Sequence, residues 1–414
     1  MPNLNKPRSA TRGSTGRHPA ALSSLSRLRT ALTVFFALDG FLFAGWVVRI
    51  PAIKAQTGAS AGSLGLALLG VSAGAVVTMT LTGRLCRRYG SHRVTVAAAV
   101  LLSLSIALPP LTHSASALGL VLLVFGVGYG GINVAMNSAA VDLVAALRRP
   151  VMPGFHAAFS LGGMLGAGLG GLVAGGLSPM AHLAALTGVG LLLTAAAAPT
   201  LLRHPAPVPP DPSPAPESPP SRKPGRMDRR SRRLVTVFGL IALCTAYGEG
   251  ALADWGALHL EQDLHAHPGI AAAGYSAFAL AMTVGRLSGT AMLERLGQTR
   301  TLVAGGATAA AGMLLGALAP SVGLALLGFA VTGLGLANLF PVAIDRAGAL
   351  AGPDGVAAAS TLGYGGMLLG PPAIGFLAEW LSLPLALTTV ALLAGAAALT
   401  GYAVRNASAA PRTD

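Results

Sequence analysis

Long apolar runs, each about the length of one membrane crossing, recur along the chain and are separated by short polar turns. A helix needs about 20 mainly apolar residues to cross a bilayer, and the turns contain the Pro, Gly and Ser residues that favour hairpins. The pattern therefore predicts an all-α membrane protein with twelve membrane-spanning helices. The predicted spans are residues 30–50, 63–82, 94–112, 117–140, 153–177, 181–202, 234–258, 269–290, 301–319, 322–344, 356–378 and 383–404.

Composition supports lipid as the solvent of this chain. Hydrophobic residues make up 53% and charged residues 10% of the sequence, and the mean hydropathy is +0.66, whereas soluble domains carry about 25% charged residues. The net charge of +14 does not indicate a nucleic-acid partner, because the basic residues lie between apolar runs. Two cysteines, Cys86 and Cys244, provide neither a disulfide framework nor a metal cluster. We expect no cofactor and no metal.

A proline-rich, charged segment, residues 203–233, divides the chain into two apolar parts of similar length. Neither helix nor strand is expected to run through such a segment. We predict a six-helix bundle at residues 30–202, a cytoplasmic linker at 203–233 and a second six-helix bundle at 234–404. Residues 1–29 and 405–414 are predicted to be cytoplasmic tails. The first tail is predicted to be disordered, and it has no apolar stretch typical of a signal peptide.

Lysine and arginine positions predict the orientation of the spans. With twelve spans, all but Arg49 and Lys54 of the 28 basic residues lie on the face that carries both tails and the linker. That face includes the pair Arg148 and Arg149, and also Arg412 in the second tail. Because cytoplasmic loops are enriched in Lys and Arg, we predict both termini in the cytoplasm and the protein in the plasma or inner membrane.

Three short strings of the first half return in the second half. The strings that begin at Asp39, Arg87 and Gly162 recur at Glu249, Glu294 and Gly365, at offsets of 210, 207 and 203 residues. Their similar spacing predicts that the second six-helix half copies the first. Transporters with such duplicated halves bind substrate near the midplane between the halves, which rock against each other.

The loop after the second predicted span has the most specific family resemblance. It reads Gly83-Arg-Leu85-Cys-Arg87-Arg88-Tyr-Gly90-Ser-His-Arg93, which is similar to the signature G-x-L-x-D-R-x-G-x-R of the major facilitator superfamily. Arg87 stands where that family usually has Asp, whereas the counterpart in the second half begins with an acid, Glu294. The resemblance implies a two-bundle transporter with a cytoplasmic gate. The gate residues that it implies are Arg84, Arg88, Gly90, Arg286, Glu294, Arg295 and Gly297.

Two other strings resemble the bacterial YbjJ-type subgroup, which is related to the fucose permeases. They are Trp46-Val-Val-Arg49-Ile50-Pro51-Ala-Ile-Lys54 and Glu249-Gly250-Ala-Leu-Ala-Asp254-Trp255. The fifth span lacks the glycine-proline string of drug antiporters, and the fourth has asparagines where fucose permeases have an acid. Import of a sugar-like solute and export of a drug or metabolite therefore both stay open.

Asp39 and Glu249 are ionisable residues inside apolar spans, where the cost of burying charge makes them functional candidates. We predict that they couple transport to protons or provide charge for the substrate. The alternative is that each pairs with a group on a neighbouring helix. His156, at the start of the fifth span, is a candidate for a proton path because histidine titrates near neutral pH, or it is simply solvated.

Amides and aromatic rings are the candidates for substrate contact. Asn133 and Asn137 lie one helical turn apart, and Asn338 is their predicted partner, although amides serve equally well between helices. Aromatic candidates are Trp46, Tyr129, Trp255, Tyr275 and Tyr364, some of which could instead anchor the helices at the membrane interface. Arg49 and Asp254, near the outer ends of their spans, either form an external gate pair or extend to water.

These features favour a monomeric, proton-coupled secondary transporter of a small organic solute. No glycine run is followed by the Lys-Ser/Thr pair of a phosphate loop, so ATP-driven transport is not expected. The alternative from another class is a membrane enzyme such as an acyltransferase, which depends on the string His259-Leu-Glu-Gln-Asp263. An enzymatic function would leave the two-fold repeat unexplained. A third class, a membrane sensor without transport activity, is not favoured because the sequence contains no soluble signalling domain.

Overall fold

The computed structural model describes residues 19–147, 151–204 and 228–405, and in these ranges it contains helices and no strand. Several predicted features lie outside the described residues. They are the tail residues 1–18, Arg148 and Arg149, linker residues 205–227, and Arg412.

Within the described ranges there are thirteen α-helices, a 3₁₀ turn at Pro109–Leu111 and a π-helical turn at His259–Asp263 that extends α8. The α-helices are α1 Pro19–Val47, α2 Ile50–Thr57, α3 Ala61–Tyr89, α4 Ser91–Ser105, α5 Ala115–Leu147, α6 Met152–Ala174, α7 Pro179–Arg203, α8 Arg229–Leu258, α9 Pro268–Leu287, α10 Gly289–Ala317, α11 Val322–Leu336, α12 Leu339–Trp380 and α13 Leu383–Ala403.

Ten of the described helical segments are long and apolar enough to cross a membrane. The predicted spans 301–319 and 356–378 are not among them and lie in α10 and α12. Backbone at Gly297 (φ 75°, ψ 164°) interrupts α10 just before the first of these two predicted spans. The all-helical fold is confirmed, and the count of twelve spans stays a prediction.

The long helix α12 is too long for one crossing, and it doubles back on itself. Its 42 residues would measure about 63 Å if straight, about twice the hydrocarbon thickness of a bilayer. In a straight helix, Ala347 and Gly355 would lie about 12 Å apart along the axis. In the structure, however, a Cβ on Gly355 would touch the carbonyl oxygen of Ala347. The chain therefore turns sharply between these residues, and α12 has two arms.

Several predicted boundaries are wrong. Helix α1 begins at Pro19 and α8 at Arg229, whereas the spans were predicted to begin at 30 and 234, because polar and basic first turns stay helical beyond the apolar core. Helix α2 was not predicted as a separate element. Pro51 occupies its first turn and Gly58 ends it with φ 61°, a left-handed conformation that glycine adopts easily.

Helices α1 and α3–α7 pack together as a first bundle, and α8–α13 pack together as a second bundle. Glycines allow the closest approaches. A Cβ on Gly162 of α6 would overlap the Ala37 carbonyl oxygen of α1, and a Cβ on Gly366 of α12 would overlap the Leu243 carbonyl oxygen of α8. The same helix-on-helix packing thus occurs in both bundles.

The two bundles touch mainly at one end. We call the end where α7 finishes and α8 begins the linker end, and the opposite end the far end. At the far end α3 packs on the second arm of α12, where Gly65 lies against Pro371, and α6 packs on α9, where Gly171 lies against Ala272. Lys54 Nζ also donates a hydrogen bond of 3.2 Å to Gln262 Oε1 there. These contacts close the far end.

At the linker end the same helices are exposed. Arg84 and Tyr89 near the end of α3, His156 near the start of α6 and Arg286 near the end of α9 are all exposed. The bundles therefore enclose a space that is closed at the far end and accessible from the linker end.

Candidate functional site

A central cavity lies between the two bundles and has an empty volume of about 1090 Å³, including the part open to solvent. Helices α1, α3, α5 and α6 line it on one side, and α8, α9 and α12 on the other. Its charged residues are Glu249, Asp254 and Arg286. Since all three belong to membrane-spanning segments, the cavity carries charge into the region that lipid surrounds.

An ion pair joins α8 to α9 in this cavity. Arg286 Nη2 donates to Glu249 Oε1 at 3.0 Å, and the two side chains are 45% and 31% exposed. Water therefore reaches both groups from the linker end, and an ion pair exposed to this degree contributes little to stability. Arg286 was predicted as a gate residue and Glu249 as a proton-coupling residue, so the structure brings together two residues that had been assigned to separate roles.

Asp39 of α1 lies beside the same cavity but behind its wall. Its side chain is fully buried, with 0% exposure, and neither carboxylate oxygen makes a hydrogen bond to a described residue. Asn133 is a neighbouring polar side chain without good hydrogen-bond geometry, and the next residue, Gly40, lines the cavity. Burying a carboxyl group without a well-formed hydrogen bond is costly, which makes Asp39 a functional candidate.

Aromatic rings form much of the cavity wall. Tyr129 stacks on Phe43 with ring centroids 5.0 Å apart, and Tyr275 contacts Phe278 at 6.2 Å; all four line the cavity. Asp254 also lines it, and in the described part of the chain this carboxylate forms no ion pair. Tyr129 and Tyr275 thus line the cavity, and their contact with a substrate stays a prediction.

A smaller recess of about 490 Å³ adjoins the central cavity between α3, α5 and α12. It shares Ser72, Ala75, Tyr129 and Met367 with the central cavity, and Asn133 and Tyr364 line it. Two more of the predicted substrate residues therefore lie next to the cavity.

Other predicted substrate residues are placed elsewhere. Trp46 and Trp255 are buried in the hydrophobic core, Asn137 donates to the Asn133 carbonyl oxygen at 2.8 Å, and Asn338 donates to the Gly285 carbonyl oxygen at 2.9 Å. His156 is exposed and packs edge-on against Phe36. None of these five lines the central cavity.

The predicted cytoplasmic gate residues lie at the linker end. Arg84, Arg88, Gly90, Glu294, Arg295 and Gly297 are exposed there. Among described residues, none of these charged side chains forms an ion pair across the bundles; Arg88 instead lies over the Tyr89 ring at 5.2 Å. With the linker end open, the structure does not bring the gate residues of the two bundles together.

Arg49 and Asp254 do not form the external gate pair that was considered. Arg49 is buried, at 2% exposure, so it does not extend to water either. Its Nε donates to His182 Nδ1 at 2.7 Å, and Nη1 donates to the Ala174 carbonyl oxygen at 3.1 Å. This network ties the junction between α1 and α2 to α6 and α7 at the far end. His182, at the start of α7, was missed because the sequence shows only a lone histidine near a helix start.

The string that suggested an acyltransferase is structural. His259 lies in the helical extension of α8, just beyond the predicted span 234–258, and is 1% exposed. Its Nδ1 bonds to Asp263 at 2.8 Å and its Nε2 to the Gly316 carbonyl oxygen at 3.2 Å. With both ring nitrogens engaged and the side chain buried, the histidine has no free nitrogen for a substrate.

The internal repeat is supported, but Asp39 and Glu249 are not counterparts. Gly162 of α6 packs on Ala37 of α1, and Gly366 of α12 packs in the same way on Leu243 of α8. Ala37 and Leu243 are therefore equivalent positions of the two bundles. Asp39 then aligns with the buried Thr245, and Glu249 lies about one turn farther along α8. The 207-residue offset does hold at the loops, where Gly90 and Gly297 share unusual backbone angles (φ 86° and 75°).

Comparison with known proteins gives consistent matches. The sequence model of the Major Facilitator Superfamily matches residues 30–255. An uncharacterised MFS-type transporter of Yersinia pestis is 34% identical over 395 residues, covering 94% of this chain and 99% of the relative.

Two solved structures have a similar fold. A bacterial homologue of the human lysosomal transporter Spinster, in an inward-facing and unoccupied conformation, has a TM-score of 0.73 at 15% identity and covers 92% of this chain and 96% of its own. A mutant of the nucleoside transporter NupG has a TM-score of 0.70 at 16% identity and covers 91% and 98%. At these identities the likeness shows the fold alone.

Proposed function

Because the chain belongs to the major facilitator superfamily of membrane transporters, we propose that it is a proton-coupled secondary transporter of a small polar organic solute. Transporters with two similar halves bind substrate near the midplane between the halves, which rock to expose the site to each side in turn. The central cavity occupies this position between the bundles. The YbjJ-like subgroup and the division of the chain into two domains between α7 and α8 are part of the same proposal.

The observation that carries the proposal is the water-accessible Glu249–Arg286 pair inside the cavity. Charged side chains in membrane-spanning segments are costly and mark substrate or ion pathways. The pair contributes little to stability at its degree of exposure, so its presence is better explained by binding. A polar group of the solute replaces one partner of the pair, while the rings of Tyr129 and Tyr275 contact the rest.

Asp39 is the proposed proton carrier. Its carboxyl group is buried without a hydrogen bond while the cavity is open at the linker end. Rocking of the bundles changes the water access of α1, and a carboxyl group that is protonated in one state and ionised in the other moves a proton with each cycle. Asn133 and Tyr129, which line the adjoining recess, connect this group to the solute site.

The orientation follows from charge. Of the basic residues that the structure describes, all but Arg49 and Lys54 lie at the linker end, so we assign this end to the cytoplasm. The cavity is then open to the cytoplasm, like the inward-facing conformation of the Spinster homologue.

Export of an organic cation by proton antiport is a second candidate within the same fold. Asp254 favours it, since this cavity carboxylate forms no ion pair among the described residues and offers a partner for an amine.

A thermal-shift screen of the detergent-purified full chain tests these proposals. Sugars, amino acids, nucleosides and cationic drugs are compared at two pH values on either side of neutrality, because a ligand that binds the folded state raises Tm. We expect a pH-dependent hit among small polar solutes that is lost in Glu249→Gln and kept in Glu379→Gln, which removes an exposed carboxylate outside the cavity.

Transport of the hit is then measured in proteoliposomes with and without a pH gradient. Accumulation driven by the gradient supports proton coupling. Hits confined to lipophilic cations, with binding that requires Asp254, would favour the second candidate, export of an organic cation by proton antiport. A hit that binds equally well to Glu249→Gln would contradict the assigned binding site.

A further inference from the structure

A second groove, with about 1270 Å³ of empty volume including open solvent, lies at the linker end of the second bundle. It is formed by α10 just after Gly297, by the first arm of α12 and by the end of α13. It shares no residue with the central cavity, and the transport proposal does not use it.

Three arginines line this groove: Arg300 of α10, Arg346 of α12 and Arg405 just after the end of α13. The guanidinium of Arg405 lies 3.8 Å above the Tyr402 ring and donates to the Tyr402 carbonyl oxygen at 3.0 Å. Asp345, next to Arg346, accepts a hydrogen bond of 2.9 Å from Gln298 Nε2. The basic groups therefore outnumber this acid, and guanidinium groups are well suited to phosphate oxygens.

Backbone geometry adds to the positive potential. Gly297 breaks α10 with φ 75° and ψ 164°, so a new helical segment begins at Gln298, whose side chain lies in the groove. The first N–H groups of a helix have no intrahelical acceptor and favour anions.

An apolar wall continues from the arginines toward the middle of the membrane. Val303, Ala304 and Ala307 line the groove one and two turns beyond Arg300, and Ala304 and Ala307 are exposed. On α13, Leu399 is 73% exposed one turn before Tyr402. The groove thus has a basic end at the membrane surface and an apolar end in the hydrocarbon region.

At the equivalent position of the first bundle, a side chain fills the groove. At the 207-residue offset, Thr299 corresponds to His92 and Arg300 to Arg93. His92 is 6% exposed, and its Nδ1 lies 2.9 Å from the Leu201 carbonyl oxygen at the end of α7. The imidazole fills the space between α4 and α7, whereas the smaller Thr299 leaves it open in the second bundle.

We propose that the groove binds the phosphate-bearing headgroup of an anionic phospholipid from the bilayer leaflet at the linker end. The three arginines hold the phosphate, and the acyl chains lie along Ala304, Ala307 and Leu399. Basic pockets between membrane helices are suited to such headgroups. The charge and the apolar wall together favour a lipid over a free anion.

Native mass spectrometry of the detergent-purified full chain tests this directly. The probes are phosphatidylglycerol and phosphatidylcholine with the same acyl chains, added together in equal amounts. We expect retained phosphatidylglycerol to exceed phosphatidylcholine by about tenfold or more. Arg300→Gln, Arg346→Gln and Arg405→Gln should each lower phosphatidylglycerol affinity about fivefold, whereas the matched control Arg93→Gln should not.

Thr299→His tests the space in the groove independently of the charge of the groove. It keeps all three arginines, and its imidazole fills the space as His92 does in the first bundle. We expect it to lose the preference for phosphatidylglycerol. If Arg346→Gln prevents folding because Arg346 is less exposed, Thr299→His and a substitution at the exposed Arg300, Arg300→Gln, still test the proposal.

Three results would overturn the proposal. Equal retention of the two lipids excludes headgroup recognition. An Arg93→Gln effect as large as that of Arg300→Gln indicates general surface charge and no built groove. Displacement of phosphatidylglycerol by inorganic phosphate, at concentrations too low to change lipid binding elsewhere on the protein, indicates a site for a soluble anion.

Discussion

At Glu249 and Arg286, solvent exposure determines what a substitution does. The two side chains are 31% and 45% exposed, so we expect Glu249→Gln to reduce the free energy of unfolding by less than about 1 kcal/mol. Transport should nevertheless fall at least about tenfold, as expected for loss of about 1.4 kcal/mol of binding free energy. Arg286→Gln should behave in the same way, and the double variant should be no worse than either single one.

Thermal melts and proteoliposome uptake of the same preparations check this prediction. Unchanged uptake in Glu249→Gln would contradict a binding role. A loss of about 3–5 kcal/mol of stability, typical of a broken buried pair, would show that the pair supports the fold. Glu379→Gln should leave both measurements unchanged.

The types of the residues in and beside the cavity could be predicted from the sequence, but which of them contact each other could not. Asp39, Glu249, Tyr129 and Tyr275 were recognisable as polar or aromatic groups inside apolar spans. The pairing of Glu249 with Arg286 was not, because it depends on how α8 and α9 rotate toward each other, and helical spacing alone does not determine that rotation.

At the scale of elements, Gly297 sets the break in α10. Its positive φ disfavours any side chain, so Gly297→Ala should destabilise the protein by about 1–3 kcal/mol. Gly188 is the control, since it lies exposed inside α7 and an added Cβ would meet no neighbouring atom within 4 Å. Gly188→Ala should be neutral or stabilise by up to about 1 kcal/mol. A lower Tm for Gly297→Ala alone is the expected result, and equal Tm values would contradict it.

Asp228 caps the start of α8. Hydrogen bonds from Ser231, through its side chain and its backbone N–H, and from the Arg230 N–H hold the pKa of this carboxyl group below its usual range. A lowered folded-state pKa contributes stability that is present above the unfolded pKa, about 3.9, and is lost as pH falls through the folded pKa.

Hydrogen exchange of the amides at 229–233, corrected for intrinsic rates, checks the cap. Protection should fall in strongly acidic solution in the wild type. Asp228→Asn should remove that pH dependence while retaining a cap, and Asp228→Ala should lose protection at every pH. Unchanged protection in Asp228→Ala would contradict the assignment.

Hydropathy predicted most helices, because lipid requires long apolar helices with internally satisfied backbone groups. It did not predict α2, which depends on local packing that an average over about 20 residues does not detect. The sharp turn within α12, by contrast, falls in the interval between the predicted spans 322–344 and 356–378. Hydropathy also placed the starts of α1 and α8 too late, since their polar first turns are helical without being apolar.

At the scale of the whole molecule, the repeat and the two-bundle layout were visible in the sequence, but the register of the repeat was not. Similar strings aligned Asp39 with Glu249, whereas packing aligns Asp39 with Thr245. The two acids therefore differ in environment: one is buried without a hydrogen bond and the other is paired in a water-accessible cavity. This difference is the basis for assigning the proton to Asp39 and the solute to Glu249 and Arg286.

Asp39→Asn tests that assignment most directly. Asparagine has nearly the same size and cannot carry a proton through the cycle. The measurement compares, in one set of proteoliposomes, solute exchange without a pH gradient and solute accumulation driven by the gradient. We predict that Asp39→Asn keeps exchange and loses gradient-driven accumulation. Accumulation equal to that of the wild type would contradict proton coupling through Asp39.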